Sequence, residues 1–128
     1  MSQITLAIVG AGNRGAAYAR YALEHPGKAK VVAVAEPRAY QRSQLAATHD
    51  IPAERVFSDW KAMAERDRLA DAVLITTPDH LHTDPALAFI EKGYHVLLEK
   101  PMAPTEAECE QIAHAAIEKD ILMAVGHV

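Results

Sequence analysis

One cysteine, Cys109, is all the thiol this chain has, so neither a disulfide framework nor a thiolate metal site can form within it. Positive charge is also scarce. Thirteen lysines and arginines stand against 17 acids, for a formal charge of −4, and no basic cluster stands out, which argues against a nucleic-acid partner. Long hydrophobic runs are missing. The longest, such as Val31-Val32-Ala33-Val34-Ala35, are of strand length and far too short to cross a membrane. Met1-Ser2-Gln3 leads straight into the first apolar run and leaves no room for a signal peptide, so a soluble, cytoplasmic protein is expected. Glycine is sparse too, at six in 128 residues, yet three of the six fall within six positions.

Those three organise the chain. Ile4-Thr5-Leu6-Ala7-Ile8-Val9 reads as a buried strand and passes into Gly10-Ala11-Gly12-Asn13-Arg14-Gly15, followed by the helix-prone Ala16 to Glu24. The spacing is G-x-G-x-x-G. Gly10 serves the tight turn, Gly12 lets the backbone approach a pyrophosphate, and Gly15 permits close helix–strand packing. Helix N-terminal amides lack intrahelical partners and carry partial positive charge, so this loop suits an anion. Alone the glycine pattern is weak; between a strand and a helix it becomes persuasive.

The rest of the chain alternates in the same way. A second strand, Lys30 to Ala35, follows the breaker Pro26-Gly27. It ends in Glu36, 21 residues after Gly15, near the distance at which dinucleotide-binding folds place an acid on the adenosine ribose. That carboxylate favours NAD by accepting the ribose diol and repelling a 2′-phosphate. Arg38 cuts the other way, since a guanidinium can accept the phosphate, and NADP stays possible. The plainer alternative is that Glu36 only favours the next helix N-terminus. A helix is expected from Ala39 to His49, a short strand at Arg55-Val56-Phe57, and a helix through Trp60, Met63 and Ala64 capped by Ser58 or Asp59, with Trp60 in the core. The fourth strand, Asp71 to Thr76, runs into the polar cluster Thr77-Pro78-Asp79-His80-Leu81-His82. A helix from Thr83 to Lys92 tolerates Pro85 in its first turn and stops at Gly93. Strand Tyr94 to Leu98 leads to Glu99-Lys100-Pro101. Thr105-Glu106-Ala107-Glu108 is a capping box opening the last helix, whose stripe Cys109, Ile112, Ala113, Ala116 and Ile117 should face a sheet. Ile121 to Val125 makes a sixth strand before Gly126-His127-Val128.

Strands apolar on both faces belong to a parallel sheet covered by helices on each side. Six of them in two βαβαβ halves imply an α/β, doubly wound Rossmann fold in the order 3-2-1-4-5-6, with a ligand crevice beyond the carboxyl ends of the strands. All 128 residues then form one dinucleotide-binding domain. Four polar clusters should line that edge: Gly10 to Gly15, Glu36, Thr76-Thr77 to His82, and Glu99-Lys100-Pro101. Lys100 is the candidate for chemistry. Leaving the end of a central buried strand, it is expected to be partly desolvated, which would lower its pKa and let it relay a proton from a substrate hydroxyl. The plainer reading is a surface lysine at a strand end. Pro101 fixes the turn and makes a cis Lys100–Pro101 bond plausible. Arg14 either reaches the pyrophosphate or is solvated. His80 and His82 either cap the following helix or touch cofactor. His127, just past the sixth strand, would point toward the nicotinamide side, while His25, His49, His95 and His114 have no ligand spacing, and no metal site is expected.

The order GAGNRG, AEP, TTPDHLH, LLEKP and VGHV resembles the glucose-fructose oxidoreductase/inositol dehydrogenase/rhizopine-catabolism family of NAD(P)-dependent oxidoreductases across essentially the whole chain. The resemblance implies an enzyme acting on CH–OH groups of a sugar, polyol or cyclitol. It implies that Lys100 contacts the reacting hydroxyl and that Glu99 and Thr77-Pro78-Asp79-His80 lie along the nicotinamide and its ribose. Members of the family continue into a separate sheet-rich domain that supplies an aspartate and a histidine for acid–base work, the substrate pocket and the main oligomer interface. That domain has no counterpart in these 128 residues, so the chain alone is expected to bind nucleotide without turnover. An uncovered sheet edge further suggests a homodimer. Two other readings compete. A non-catalytic NAD(P)-binding sensor would have no need of Lys100, and a methyltransferase is opposed by the Gly15 spacing and by Glu-Lys-Pro.

Overall fold

The computed structural model describes residues 3–77, 83–99 and 105–126. Six strands, β1 (Ile4–Val9), β2 (Ala29–Ala35), β3 (Val56–Phe57), β4 (Ala72–Ile75), β5 (His95–Glu99) and β6 (Met123–Gly126), alternate with five helices. The helices are α1 (Asn13–Glu24), α2 (Ala39–Thr48), α3 (Trp60–Ala64), α4 (Thr83–Glu91) and α5 (Glu106–Glu118), and a 3₁₀ turn, Ala53–Arg55, precedes β3. All pairings are parallel, in the order β3-β2-β1-β4-β5-β6. This is the doubly wound Rossmann arrangement, and its strand order reverses between β1 and β4, where such sheets open a ligand crevice.

Side chains alternate across the sheet and make two cores. Ile8, Val34 and Leu74 point to one face and pack with Ala19 and Ala22 of α1 and Leu45 of α2. Ala7, Val9, Ala35, Val73 and Ile75 point to the other, under Met63 of α3, Phe89 and Ile90 of α4, and Ile112 and Ala116 of α5. Burial on both faces is what a parallel sheet needs, and it explains why the strands read as unbroken apolar runs. Phe89 and Tyr94 meet edge to face at 5.1 Å, and the Tyr94 hydroxyl accepts from the Leu69 amide at 3.0 Å. Trp60 is half-buried against Phe89.

Local chemistry sets three of the element ends. Asp59 caps α3 by accepting from the Lys61 amide at 2.8 Å. Thr105 caps α5 by accepting from the Glu108 amide, while the Glu108 carboxylate takes the Thr105 hydroxyl at 2.9 Å rather than the main chain. Gly93 stops α4 at φ +88°, a conformation that side-chain-bearing residues rarely adopt.

Three details differ from the pattern in the sequence. Arg55 belongs to the 3₁₀ turn, leaving β3 only two residues long. Val32 has no partner in β1, because Leu6 pairs with Val31 and Ala7 with Ala33. This bulge resets the alternation of β2 halfway along. Ile117, expected in the buried stripe of α5, is 77 % exposed. At about 100° per residue it sits about 140° around the helix from Ile112, so it turns away from the sheet.

Candidate dinucleotide-binding site

The carboxyl ends of five strands finish level. One row of partners runs Ala35–Val9–Ile75–Leu98–Val125 across β2, β1, β4, β5 and β6. The next residue along each strand is therefore Glu36, Gly10, Thr76, Glu99 and Gly126, and four of these five were singled out from the sequence. Parallel register, and no local motif, brings them to one edge.

Gly10 opens the β1–α1 loop at φ +96°, with its amide bonded to the Ala35 carbonyl at 2.9 Å. A Cβ there would also meet the main chain of Thr76 and Thr77 at 3.0 Å, so β4 closes over it. Thr76 completes that closure. Its amide donates to the Val9 carbonyl at 2.8 Å, and its hydroxyl donates to the Gly10 carbonyl at 2.6 Å, with the Val9 oxygen farther off at 3.2 Å. A hydroxyl has one proton to give, so Thr76 spends it on the loop. A Cβ on Gly15 would collide with the same Gly10 carbonyl oxygen. Gly10 and Gly15 are thus glycines because the first turn of α1 packs directly on the turn that precedes it.

Gly12 differs. It is the N-cap of α1, with ordinary extended dihedrals and no side chain capping the helix. A Cβ there would meet only the tip of Arg38, at 3.0 Å from Nη2. The first amides of α1 face outward past a residue without a side chain, and the first turn carries no acidic residue. Such a helix end is a seat for a phosphate. The space that a Cβ at Gly12 would enter is the space a pyrophosphate needs, and the residues therefore fit an adenine dinucleotide.

Glu36 is 2 % exposed and fully engaged. Its Oε1 accepts from the Ala11 amide at 2.8 Å and from Arg38 Nη2 at 3.0 Å. Oε2 accepts from the Arg38 amide at 2.8 Å and Nε at 3.0 Å. Burial works to raise the Glu36 pKa, but the bonds from the Arg38 guanidinium and from the Arg38 and Ala11 amides outweigh it, and the carboxyl is held below its ordinary value. Glu36 thereby ties the glycine loop to the start of α2. Arg42, which nothing in the sequence pattern singled out, braces the same turn by donating from Nη1 to the carbonyls of Glu36 at 2.8 Å and Pro37 at 3.2 Å.

The structure thus gathers Gly10, Gly12, Gly15, Glu36, Arg38, Thr76 and Thr77 around the carboxyl ends of β1, β2 and β4. Asn13 and Arg14 contribute their backbone to the first turn of α1, and Glu99 closes β5 opposite Gly126. Pro78, His80, His82, Lys100, Pro101 and His127 lie outside the described residues. Among the described residues no helix is long and apolar enough to cross a membrane.

A parallel sheet in this order, with an uncapped glycine-lined helix end at its switch point, defines a Rossmann domain that binds NAD or NADP. Comparison with known proteins makes the class particular. Residues 4–127 match the model of the GFO/IDH/MocA oxidoreductase family, NAD-binding Rossmann fold, and the chain belongs to that family. It is 32 % identical over its whole length to 2,7-anhydro-N-acetylneuraminate hydratase of Mediterraneibacter gnavus, covering 32 % of that protein. Over 69 % of the chain it is 34 % identical to the NADP-dependent scyllo-inositol 2-dehydrogenase IolW of Bacillus subtilis, covering 26 % of it. The fold superposes with a TM-score of 0.90 on the WlbA dehydrogenase of Chromobacterium violaceum, solved with NADH and UDP-GlcNAcA, at 24 % identity over 98 % of this chain and 35 % of that one. The chain spans about a third or less of the length of the curated relatives it matches.

Proposed function

We propose that this chain is the dinucleotide-binding part of an oxidoreductase that interconverts a secondary alcohol of a sugar, polyol or cyclitol and its ketone. The supporting observation is the cradle at the N-terminus of α1, where Gly10 and Gly15 are fixed by the closure of β4 and Gly12 faces only the movable tip of Arg38. Gly12 and the first amides of α1 would hold the pyrophosphate, and Glu36 with Arg38 would face the adenosine ribose. When bound, the nicotinamide supplies a hydride acceptor or donor.

The chain's own contribution to the reaction is assigned to Lys100, the residue after the last described position of β5. An ammonium at that strand end can hold a substrate hydroxyl and pass its proton on. An inositol dehydrogenase among the relatives supports the substrate class. A hydratase among them makes reaction type the part of this reading that kinetics must carry. We assign the remaining acid–base groups and the substrate pocket to a further domain, so these 128 residues alone would bind nucleotide without turnover. The edge position of β6 and the exposed Leu122 beside it support self-association along that edge, which sedimentation at rising concentration would detect.

The test is steady-state kinetics of the enzyme containing this domain, with NAD⁺ or NADP⁺ and a panel of inositols and sugars. Lys100→Met should lower kcat by about a hundredfold, in the range of general acid–base groups, while NADH affinity stays within about twofold. Unchanged kcat with the preferred polyol would remove Lys100 from the chemistry.

A further inference from the structure

We infer that Arg38 sets the dinucleotide preference of this domain by competing with the adenosine ribose for Glu36. The inference rests on the proposed reading of the site and extends it.

The four bonds to the Glu36 carboxylate are of two kinds. Those from the Ala11 and Arg38 amides come from the main chain, at the glycine loop and at the N-cap of α2, and persist as long as the fold does. Those from Nε and Nη2 come from a side chain that is 56 % exposed and lies bidentate on both oxygens. Two carboxylate oxygens offer about four acceptor sites in all, and these four bonds use them. A vicinal diol offers two O–H groups at a spacing that suits the same two oxygens. It can reach Glu36 only by taking the places Nε and Nη2 now hold. The same guanidinium leans over the phosphate seat, its Nη2 standing 3.0 Å from where a Cβ of Gly12 would be. NAD binding therefore requires Arg38 to lift away.

A 2′-phosphate meets the opposite situation. Five N–H groups belong to a guanidinium, and the two spent on Glu36 leave three for a phosphate on the outer side. With Arg38 in place the Glu36 charge is matched, so its usual rejection of a 2′-phosphate is weakened. The acid that reads as an NAD signal in the sequence is thus offset by its own neighbour two residues on.

The experiment is fluorescence titration of the protein with NADH and NADPH, comparing wild type with Arg38→Leu and Arg38→Lys. Arg38→Leu should bind NADH about threefold or more tighter and NADPH about tenfold or more weaker, because a competitor and a charge-assisted phosphate partner are lost together. Arg38→Lys should fall between, since an ammonium cannot bridge both oxygens. NADH affinity that is unchanged or weakened in Arg38→Leu, in a protein that otherwise binds dinucleotide, overturns the competition alone. Wild type that saturates with neither dinucleotide overturns the underlying assignment and this inference with it.

Discussion

The hydroxyl of Thr76 donates to the carbonyl oxygen of Gly10 across 2.6 Å, so the end of β4 holds the first glycine of the loop that ends β1. A residue expected to touch cofactor also holds the loop proposed to seat it. Thr76→Val keeps the shape and removes the proton, leaving that carbonyl with one partner fewer. The loss should be about 1 kcal/mol of stability and about a tenfold rise in the NADH dissociation constant. Thr76→Ser, which keeps the hydroxyl, should recover most of the affinity. Loss in Thr76→Ser with none in Thr76→Val, which keeps the γ-methyl group, would assign the effect to packing of that methyl group, and titration of the two side by side decides it.

Two glycines three residues apart should fail in different ways. A Cβ on Gly15 meets the fixed main chain at Gly10, whereas one on Gly12 meets only a flexible side-chain tip. Gly15→Ala should therefore cost about 1–3 kcal/mol or more in urea denaturation, as overpacking does. Gly12→Ala should cost no more than about 1 kcal/mol, as the loss of a favourable N-cap residue does, and weaken both NADH and NADPH by tenfold or more, because its methyl group would stand in the proposed path of the pyrophosphate. A large stability loss at Gly12 would show that the position is structural.

The buried ring pair should separate packing from hydrogen bonding. Tyr94→Phe keeps the edge contact with Phe89 and deletes the acceptor of the Leu69 amide, which should cost about 1 kcal/mol. Phe89→Ala removes a fully buried ring shared by α4 and the sheet and should cost about 3–5 kcal/mol. Chemical denaturation of the two variants measures the ratio directly.

Sheet order and two-faced burial were legible in the sequence because each strand is a continuous apolar run, and only a covered parallel sheet accepts six of those. The glycine loop was legible for a related reason. Its spacing reports a steric demand that Gly10 and Gly15 meet inside their own strand–helix unit, with Thr76 added from outside. What escaped depends on neighbours far along the chain. Nothing in the pair Thr76-Thr77 says which hydroxyl turns onto β1, since that requires knowing that β4 lies beside it. Glu36 and Arg38 were both noticed, but as independent signals for two cofactors. Their closure on each other depends on the Ala11 amide fixing the carboxylate from 25 residues away. Arg42 left no signal at all, because its partners are carbonyls, which every residue has. Ile117 was misplaced because a step from Ala116 along α5 continues the apolar composition while leaving the buried face.

Acid should destabilise this domain in two stages. Burial pushes the His49 pKa below its ordinary value of 6.5, so the unfolded chain takes up that proton first as pH falls. The resulting stability is complete above about pH 6.5 and declines below it. Glu36 is held below its ordinary 4.5, the bonds from Arg38 and Ala11 overcoming the effect of burial. Asp71 is held below 3.8 chiefly by the Thr5 amide, which donates to it at 2.9 Å, with the Thr5 hydroxyl and the Arg68 charge adding to that. For both acids the contribution is complete above the unfolded value and is lost as pH drops through the folded one. Urea midpoints should therefore be level from pH 7 to 8, fall gently toward pH 5.5, and fall steeply below about pH 4.5. His49→Leu should flatten the upper stage and leave the lower one. Glu36→Gln should shallow the lower stage and leave the upper one. A midpoint that rises between pH 7 and 5.5 would mean that His49 gains a proton on folding, contrary to its buried, uncharged setting.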